Sequence, residues 1–281
     1  MAGWAVALGV GFVAARLVVI ASRDLLAAPV LDRANFRARH LPTAAGVVVM
    51  LAVLTVEAGR AGIGALGVGR EPGLTIERSL ILFAVFGFGF LGLFDDLVAT
   101  GGSQGFRGHI AAAFRGRLTT GFVKLAGGGM VAVVLVATPG FADGRRLVLD
   151  AVLVALCANL ANLFDRAPGR VIKVSLIAYV PLAVALGGGA VGIAVAPVVG
   201  ATAALLPDDL RERLMLGDTG ANVIGATLGL GVVLGVDSAF ARGSVLAVVL
   251  ALNVVSEFAS FSSVIERIVP LRALDRLGRL P

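Results

Sequence analysis

Charged residues are scarce in this chain, and their scarcity decides the class of protein. Of its 281 residues only 15% are charged, whereas 58% are hydrophobic, a share well above that of an ordinary globular protein. A soluble core does not absorb apolar runs of about 20 residues that recur along a whole chain. The composition therefore excludes an ordinary soluble domain and indicates an integral membrane protein.

Cysteine is almost missing, and so is a regular alternation of polar and apolar residues. The lone Cys157 lies within an apolar run, which excludes a disulfide framework. A bilayer admits only helices or closed barrels, and a barrel would show the alternation that these runs lack. We therefore expect α-helices. The first segment also lacks the basic start and cleavage site of a signal peptide, so we expect a retained span.

The apolar runs predict an all-α, polytopic membrane bundle of about nine transmembrane helices, which form a single domain over residues 1–281. The predicted spans are 3–21, 43–59, 79–97, 119–138, 148–164, 171–188, 190–206, 219–236 and 243–262. The 38 glycines fit closely packed membrane helices. Because nine is an odd number, we expect the two termini on opposite sides of the membrane.

The basic residues of the loops predict the orientation. Cytoplasmic loops are enriched in Lys and Arg, and most of these residues fall in the inner loops if the N-terminus lies outside. They are Arg23, Arg33, Arg37, Arg39, Arg107, Arg115, Arg117, Lys124, Arg166, Arg170, Lys173, Arg211, Arg213, Arg267, Arg272, Arg276 and Arg279. We attribute the net charge of +6 to these loops and to anionic lipid headgroups rather than to nucleic acid. The C-terminus is then predicted to be cytoplasmic.

The third predicted span ends in a pair of acidic residues, Asp95 and Asp96, within "GFLGLFDDLVATGG". Adjacent carboxylates repel each other, and at the C-terminus of a helix they also oppose the helix dipole. A hydrated helix end is one explanation. The other is a hard divalent cation, because Mg²⁺ in proteins binds one or two carboxylates together with substrate phosphates.

A second polar cluster, "ANLANLFDRAPGRVIK" at residues 158–173, ends the fifth span. Asn159 and Asn162 are three positions apart and share a helix face, where they either bind a substrate or join two helices by hydrogen bonds. Asp165 follows at the inner boundary. The helix breaks at a Pro-Gly pair, and Arg170 beyond it either holds phosphate or is simply an inner-loop cation.

The eighth span opens with "LMLGDTGANVIG", residues 214–225, in which Asp218 stands between two glycines. Asp218 either caps the helix or binds a ligand, since the glycines permit a close approach. Asn222 lies one turn on and faces the same way. A fourth, basic cluster at residues 35–46 precedes the second span, and the charges at 208–213 are expected to be a solvated run.

The predicted orientation places all four polar clusters on the cytoplasmic side. Carboxylates that bind a metal, cations that bind phosphates and an apolar body that accommodates a lipid together suggest phosphoryl transfer at a membrane surface.

The motifs "NFRARHLPTAAG", "GLFDDL", "NLANLFD" and "LGDTGANVIGATLG" occur in this order. From about residue 23 to 267 the chain thereby resembles the polyprenyl-phosphate N-acetylhexosamine-1-phosphate transferases. This superfamily includes the phospho-MurNAc-pentapeptide translocase and the UDP-GlcNAc:undecaprenyl-phosphate GlcNAc-1-phosphate transferases. The resemblance implies an Mg²⁺-dependent transfer of a sugar-1-phosphate from a nucleotide-sugar, expected to be UDP-linked, to polyprenyl phosphate. It also implies a bacterial cytoplasmic membrane, a role in cell-envelope glycan synthesis and a homodimer.

The resemblance assigns roles to individual residues. Asp95, Asp96 and Asp218 match the family's catalytic and metal-associated aspartates. By resemblance, the predicted substrate- and nucleotide-binding residues are Asn159, Asn162 and Asp165 of the nucleotide motif and Lys124 after the second inner loop. Arg170 and Asn222 are added to this set from their positions beside the motifs.

The chain departs from the family pattern in two places, and two other hypotheses remain. Pro168 stands where the nucleotide motif usually has a second aspartate, and the last inner loop contains no histidine. The second hypothesis is therefore a relative that binds lipid-linked or nucleotide precursors without turnover. The third is an ion-coupled transporter, although transporter sites lie near the midplane and these acids lie at the inner ends of spans.

Overall fold

A computed structural model describes residues 2–68, 73–98, 119–138, 140 and 143–280, and most of them are helical. In chain order the α-helices are α1 Ala2–Ala21, α2 Arg23–Leu26, α3 Gly46–Ala65, α4 Ile76–Val98, α5 Thr120–Ala137, α6 Gly144–Phe164, α7 Arg170–Leu186, α8 Ala190–Leu210, α9 Gly217–Gly235, α10 Ala239–Ser256, α11 Phe261–Arg267 and α12 Val269–Arg276. A 3₁₀ turn at Pro29–Leu31 leads into a short antiparallel hairpin, β1 Asp32–Ala34 and β2 His40–Pro42.

The described residues confirm a polytopic helical membrane bundle. Eight of the helices are long and apolar enough to cross a membrane, namely α1, α3, α4, α5, α6, α8, α9 and α10. The predicted span 171–188 corresponds to α7, which has 17 residues and is not among these eight helices. The last predicted span is placed too far along the chain, because α10 ends at Ser256 and a second helix begins at Phe261. The orientation of the termini stays a prediction.

Part of the predicted loop charge falls outside the described residues. Arg107, Arg115 and Arg117, which contribute to the predicted inner charge, lie in the stretch 99–118 between α4 and α5. Every other inner-loop cation named above belongs to the described part of the chain.

The centre of the bundle is α9, whose sequence "GDTGANVIGATLGLGVVLG" consists largely of small residues. It packs against α3, α4, α6, α7 and α8, because small side chains let neighbouring backbones approach closely. α9 has the largest buried share of the eight candidate spans. A helix in this position brings its first turn, with Asp218, to the middle of one end of the bundle.

Two buried ion pairs join helices at the opposite end of the bundle. Glu57 of α3 accepts hydrogen bonds from Arg78 of α4, with an Nε–Oε2 distance of 2.7 Å. Asp150 of α6 pairs with Arg242 of α10 at 3.4 Å. Buried charged side chains need such partners, and these four therefore join helices far from Asp95.

The fourth polar cluster supplies the turn and the second strand of the β1–β2 hairpin, which docks on the loop before α9. The backbone N–H of Met215 donates to the Pro42 carbonyl at 2.8 Å, and that of Gly46 donates to the Leu216 carbonyl at 2.9 Å. These bonds fix the hairpin beside the first turn of α9. The fold thus brings the motifs at 35–46 and 214–225 together.

Candidate functional site

Four predicted site residues meet in one hydrogen-bonded group at the end of the bundle. Lys124 of α5 donates to Asp218 of α9 and lies 3.4 Å from Asp95 of α4. The Asn162 amide of α6 joins them when its nitrogen donates to Asp218 Oδ1 at 2.5 Å and its oxygen accepts from Lys124 Nζ at 2.6 Å. We call these four residues the acid–lysine cluster. Four different helices therefore contribute one side chain each.

Asp96 has a different environment from its neighbour Asp95. Its carboxylate accepts hydrogen bonds from the backbone N–H groups of Asp218 and Thr219, at 3.0 and 2.9 Å, and from Thr219 Oγ1 at 2.6 Å. The first N–H groups of a helix have no partner within it, and a negative charge there is favoured by the helix dipole. Asp96 of α4 therefore caps α9, and Asp218 occupies its first turn.

Two glycines make this contact between α4 and α9 possible. A Cβ atom at Gly92 would overlap the carbonyl oxygen of Asp218. Gly217 has a φ of +72°, and a Cβ atom there would lie 2.7 Å from Asp96 Oδ2. Residues other than glycine rarely adopt a positive φ of this size. Glycine at both positions is thus required for Asp96 to reach the start of α9.

A cavity of about 410 Å³ opens beside Asp96 and Asp218, and we call it the polar cavity. It is lined by Ala34, Asn35, Phe36, Leu41, Thr43, Asp96, Asp165, Arg166, Ala167, Pro168, Asp209, Glu212, Leu214, Met215, Gly217 and Asp218. The protein that surrounds Asp165 removes much of its water, and this burial is the main reason why its pKa lies well above the ordinary value. The charges of Asp209, Asp218 and Asp96 raise that pKa further. The cavity therefore attracts cationic groups.

The prediction of a solvated charge run at 208–213 is wrong, because its three acids are buried. Asp209 accepts a hydrogen bond from the backbone N–H of Gly169 at 2.8 Å. Glu212 accepts one from Asn35 at 2.9 Å and also pairs with two arginines of the hairpin. The run folds beneath the hairpin, so its charges shape the polar cavity. Local sequence contained no signal of partners so distant.

A second cavity, of about 350 Å³, lies beside Lys124, and we call it the lateral cavity. It is lined by Phe88, Leu91, Lys124, Leu125, Gly128, Ala155, Leu156, Ala158, Asn159, Asn222, Leu250, Asn253, Val254 and Glu257. Asn159 donates to Asn253 Oδ1 at 2.7 Å and thereby joins α6 to α10. Of the two roles considered for Asn159, this contact is the one that joins two helices by a hydrogen bond. Asn222 is only 2% exposed, and among the described residues its Nδ2 has no hydrogen-bond partner.

Arg170 is buried, and its guanidinium already has partners within the protein. Its Nε and Nη2 donate to the two carboxylate oxygens of Asp275 at 2.8 and 3.0 Å, and Nη1 donates to Ser262 at 2.7 Å. Asp275 was not predicted as a site residue, since nothing nearby in the sequence indicates this pairing. A substrate-binding role for Arg170 stays a prediction, and its visible role is to hold the C-terminal residues.

The donor chemistry allows a magnesium ion at the acid–lysine cluster, although with fewer carboxylates than predicted. Among the described residues no group of three or more His, Cys, Asp and Glu side chains is arranged to hold a metal. Asp95 and Asp218 both contact the Lys124 ammonium, so two carboxylates already face a common positive charge. Mg²⁺ needs only one or two carboxylates when phosphates supply other ligands. Asp95 and Asp218 fit this requirement, whereas Asp96 is engaged with α9.

The predicted residues therefore fall into four groups. Asp95, Lys124, Asn162 and Asp218 form the cluster, Asp96 and Asp165 line the polar cavity, Asn159 and Asn222 line the lateral cavity, and Arg170 binds the C-terminal residues. In comparisons with known proteins, no family model and no curated protein matches the chain.

Proposed function

We propose that the protein transfers a sugar-1-phosphate from a nucleotide-sugar, expected to be UDP-linked, to polyprenyl phosphate at the cytoplasmic face of a bacterial membrane. The supporting observation is that two cavities of opposite character meet at the acid–lysine cluster. Asp218 lines the polar cavity, and Lys124, which contacts Asp218, lines the lateral cavity. A reaction between a water-soluble donor and a lipid acceptor requires such a meeting point.

The charges of the polar cavity explain why this reaction would depend on magnesium. Several carboxylates line the cavity and repel a pyrophosphate, unless a divalent cation accompanies the donor. Asp95 and Asp218 would hold the ion, which when bound would neutralise phosphate charge and polarise the phosphorus–oxygen bonds. This requirement agrees with the resemblance of the motifs to Mg²⁺-dependent transferases.

The residues of the cluster have separable tasks in the proposed reaction. The Lys124 ammonium, which borders the lateral cavity, attracts and orients the phosphate of the lipid. An oxygen of that phosphate attacks the sugar-side phosphorus of the donor, the pyrophosphate bond breaks, and a nucleoside monophosphate leaves. The attacking oxygen is already ionised, so no side chain has to remove a proton. Asn162 holds Lys124 and Asp218 in their relative positions.

The proposal is tested with purified protein in proteoliposomes that contain polyprenyl phosphate. Labelled nucleotide-sugars with different bases and Mg²⁺ should give an organic-soluble labelled lipid and an equal amount of nucleoside monophosphate, and chelation should stop both. Asp95→Asn and Asp218→Asn should each slow the reaction by about 100-fold or more, as expected when a group that stabilises transition-state charge is lost. Glu266→Gln is the matched control, since Glu266 is an exposed acid outside both cavities.

Two outcomes would count against the proposal. Variants of Asp95 and Asp218 with full activity would remove the cluster from the mechanism. Stabilisation of the protein by a nucleotide-sugar without any lipid product would favour the second function, binding without turnover. That alternative is favoured by Pro168, which lines the polar cavity without a hydrogen-bonding side chain.

A further inference from the structure

The C-terminal segment, residues 261–280, buries an acidic side chain and exposes several apolar ones. Asp275 is 6% exposed, whereas the adjacent Leu274 is 42% exposed and Val269 is 63% exposed. A short helix on a water-facing surface normally buries its leucines and exposes its aspartates. The outer face of this segment therefore suits apolar surroundings better than water.

Ion pairs and hydrogen bonds hold the inner face of the segment on the start of α7. Arg170, the first residue of α7, binds Asp275 with two hydrogen bonds. Lys173, one turn further, donates to the carbonyl oxygens of Leu274 at 2.9 Å and Leu277 at 3.2 Å. The segment is thus fixed beside the first turn of α7.

The segment follows α10 in the chain, and both present exposed apolar side chains. Val254 and Val255 are exposed near the end of α10, and Phe258 beyond it is 80% exposed. The segment then adds a set of exposed apolar side chains, which are Ile268, Val269, Leu271, Leu274 and Leu277. Its exposed basic residues include Arg267 and Arg276. Apolar residues interspersed with arginines are typical of helices that lie in the plane of a membrane interface.

We propose that the C-terminal segment is an interfacial membrane element. Its apolar outer face lies at the boundary between headgroups and acyl chains of the cytoplasmic leaflet, with its arginines against anionic headgroups. Because Arg279 donates to the Pro168 carbonyl at 2.8 Å, this element also supports one wall of the polar cavity. This membrane contact does not depend on the catalytic function.

Tryptophan fluorescence tests the proposal in the full-length protein. The chain has a single tryptophan, Trp4, so Trp4→Phe supplies a background into which Leu271→Trp is introduced. The variant is reconstituted in nanodiscs of phosphatidylcholine and phosphatidylglycerol, with part of the lipid brominated close to the headgroup. We expect emission at shorter wavelengths than in water and loss of most of the signal to the brominated lipid. Phe36→Trp, on the exposed hairpin, is the control and should remain unquenched.

Two results would overturn the proposal. One is a water-like emission from position 271 that brominated lipid leaves unchanged. The other is a shielded emission that persists without lipid and disappears when the protein is diluted, because a second copy would then cover this face. Val269→Trp in the same background repeats the measurement, so a folding defect of one variant leaves the test intact.

Discussion

At the scale of single residues, the most informative contact is the one that Lys124 makes with Asp95 and Asp218. A lysine ammonium between two carboxylates neutralises a repulsion that would otherwise destabilise the ends of α4 and α9. A divalent cation would satisfy the same two carboxylates. Lys124 and Mg²⁺ are therefore both expected to offset the repulsion between these two carboxylates.

We predict that Lys124→Met destabilises the protein and makes its stability dependent on Mg²⁺. Removing one partner from a mostly buried ionic group costs about 3–5 kcal/mol, and here the two acids are left facing each other. Thermal unfolding in detergent should show a lower midpoint and a larger Mg²⁺-induced increase than in the unsubstituted protein. Adding Asp95→Asn to Lys124→Met should recover part of the loss. Equal midpoints with and without Lys124 would contradict this account.

The motifs pick out four residues that the structure brings together, but they do not indicate what each of them contacts. Asp95, Lys124, Asn162 and Asp218 were identified from their motifs, and the structure brings them together. The capping role of Asp96 could not be predicted, because its donors lie on α9, far along the chain. Local patterns report on helix periods and turns, whereas such contacts depend on how helices pack.

At the scale of helices, the contact between α4 and α9 determines the geometry of the site. At Gly92 of α4 the backbone of α9 is so close that a Cβ atom would overlap the carbonyl oxygen of Asp218. Any displacement of α4 from α9 would withdraw Asp96 from the N–H groups that it caps. The spacing of these two helices and the position of the acids are therefore coupled.

We predict that Gly92→Ala separates α4 from α9 and impairs both stability and activity. Overpacking of a close contact costs about 1–3 kcal/mol, and the neighbour here is backbone that has little room to move. Gly129→Ala is the matched control, because a Cβ atom there meets nothing within 4 Å. Alanine favours a helix over glycine by up to about 1 kcal/mol, so the control should be as stable or more stable. Equal unfolding midpoints for the two variants would contradict the close-contact argument.

The attachment of the C-terminal segment to α7 should depend on pH. Burial alone raises the pKa of Asp275, but the hydrogen bond and charge of Arg170, together with the charge of Arg279, outweigh it and lower the pKa. Since this folded-state pKa lies below the value of about 3.9 in an unfolded chain, the ion pair stabilises the attachment above that pH. Its contribution is lost as the pH falls through the folded-state pKa.

Limited proteolysis with pepsin at several acidic pH values measures this dependence. We expect cleavage within residues 261–280 to accelerate below about pH 4. Asp275→Asn should be cleaved readily at every pH tested, while Glu266→Gln, which removes an exposed pair with Arg276, should behave like the unsubstituted protein. A segment that is released equally in both variants would show that the Arg170–Asp275 pair does not hold it.

At the scale of the whole molecule, the two ends of the bundle differ in chemistry. One end of the bundle holds the acid–lysine cluster, the hairpin and the C-terminal segment. The other end holds the Glu57–Arg78 and Asp150–Arg242 pairs. The long helices connect these ends alternately. The loop cations predict that the end with the cluster faces the cytoplasm.

We predict that reporter fusions will reveal opposite sides for the two ends. A fluorescent protein fused after the last residue should be bright, since it folds in the cytoplasm, and alkaline phosphatase fused there should be inactive. Alkaline phosphatase inserted after Val68, between α3 and α4, should be active because that loop is predicted to lie outside. Bright fluorescence from a fluorescent protein inserted at Val68 would show that the orientation is the reverse of the predicted one.

Much of the architecture was predictable, because apolar runs of membrane length allow few interpretations. The charge run at 208–213 and the end of α10 were predicted wrongly for one shared reason. Both depend on tertiary partners, since the buried acids are satisfied by residues of distant elements and α10 stops before the C-terminal segment turns onto α7. Composition reports on the lipid environment of a segment, but it contains no information on such partners.

The cap that Asp96 places on α9 has a consequence for biogenesis. Asp96 and Thr219 are 123 positions apart, so the ribosome delivers α4 to the membrane long before α9 exists. Throughout that interval the carboxylate of Asp96 must remain hydrated at the bilayer surface. Insertion of α9 is then the event that withdraws it from water, and a nascent chain arrested earlier would still display this unpaired acid at the membrane surface.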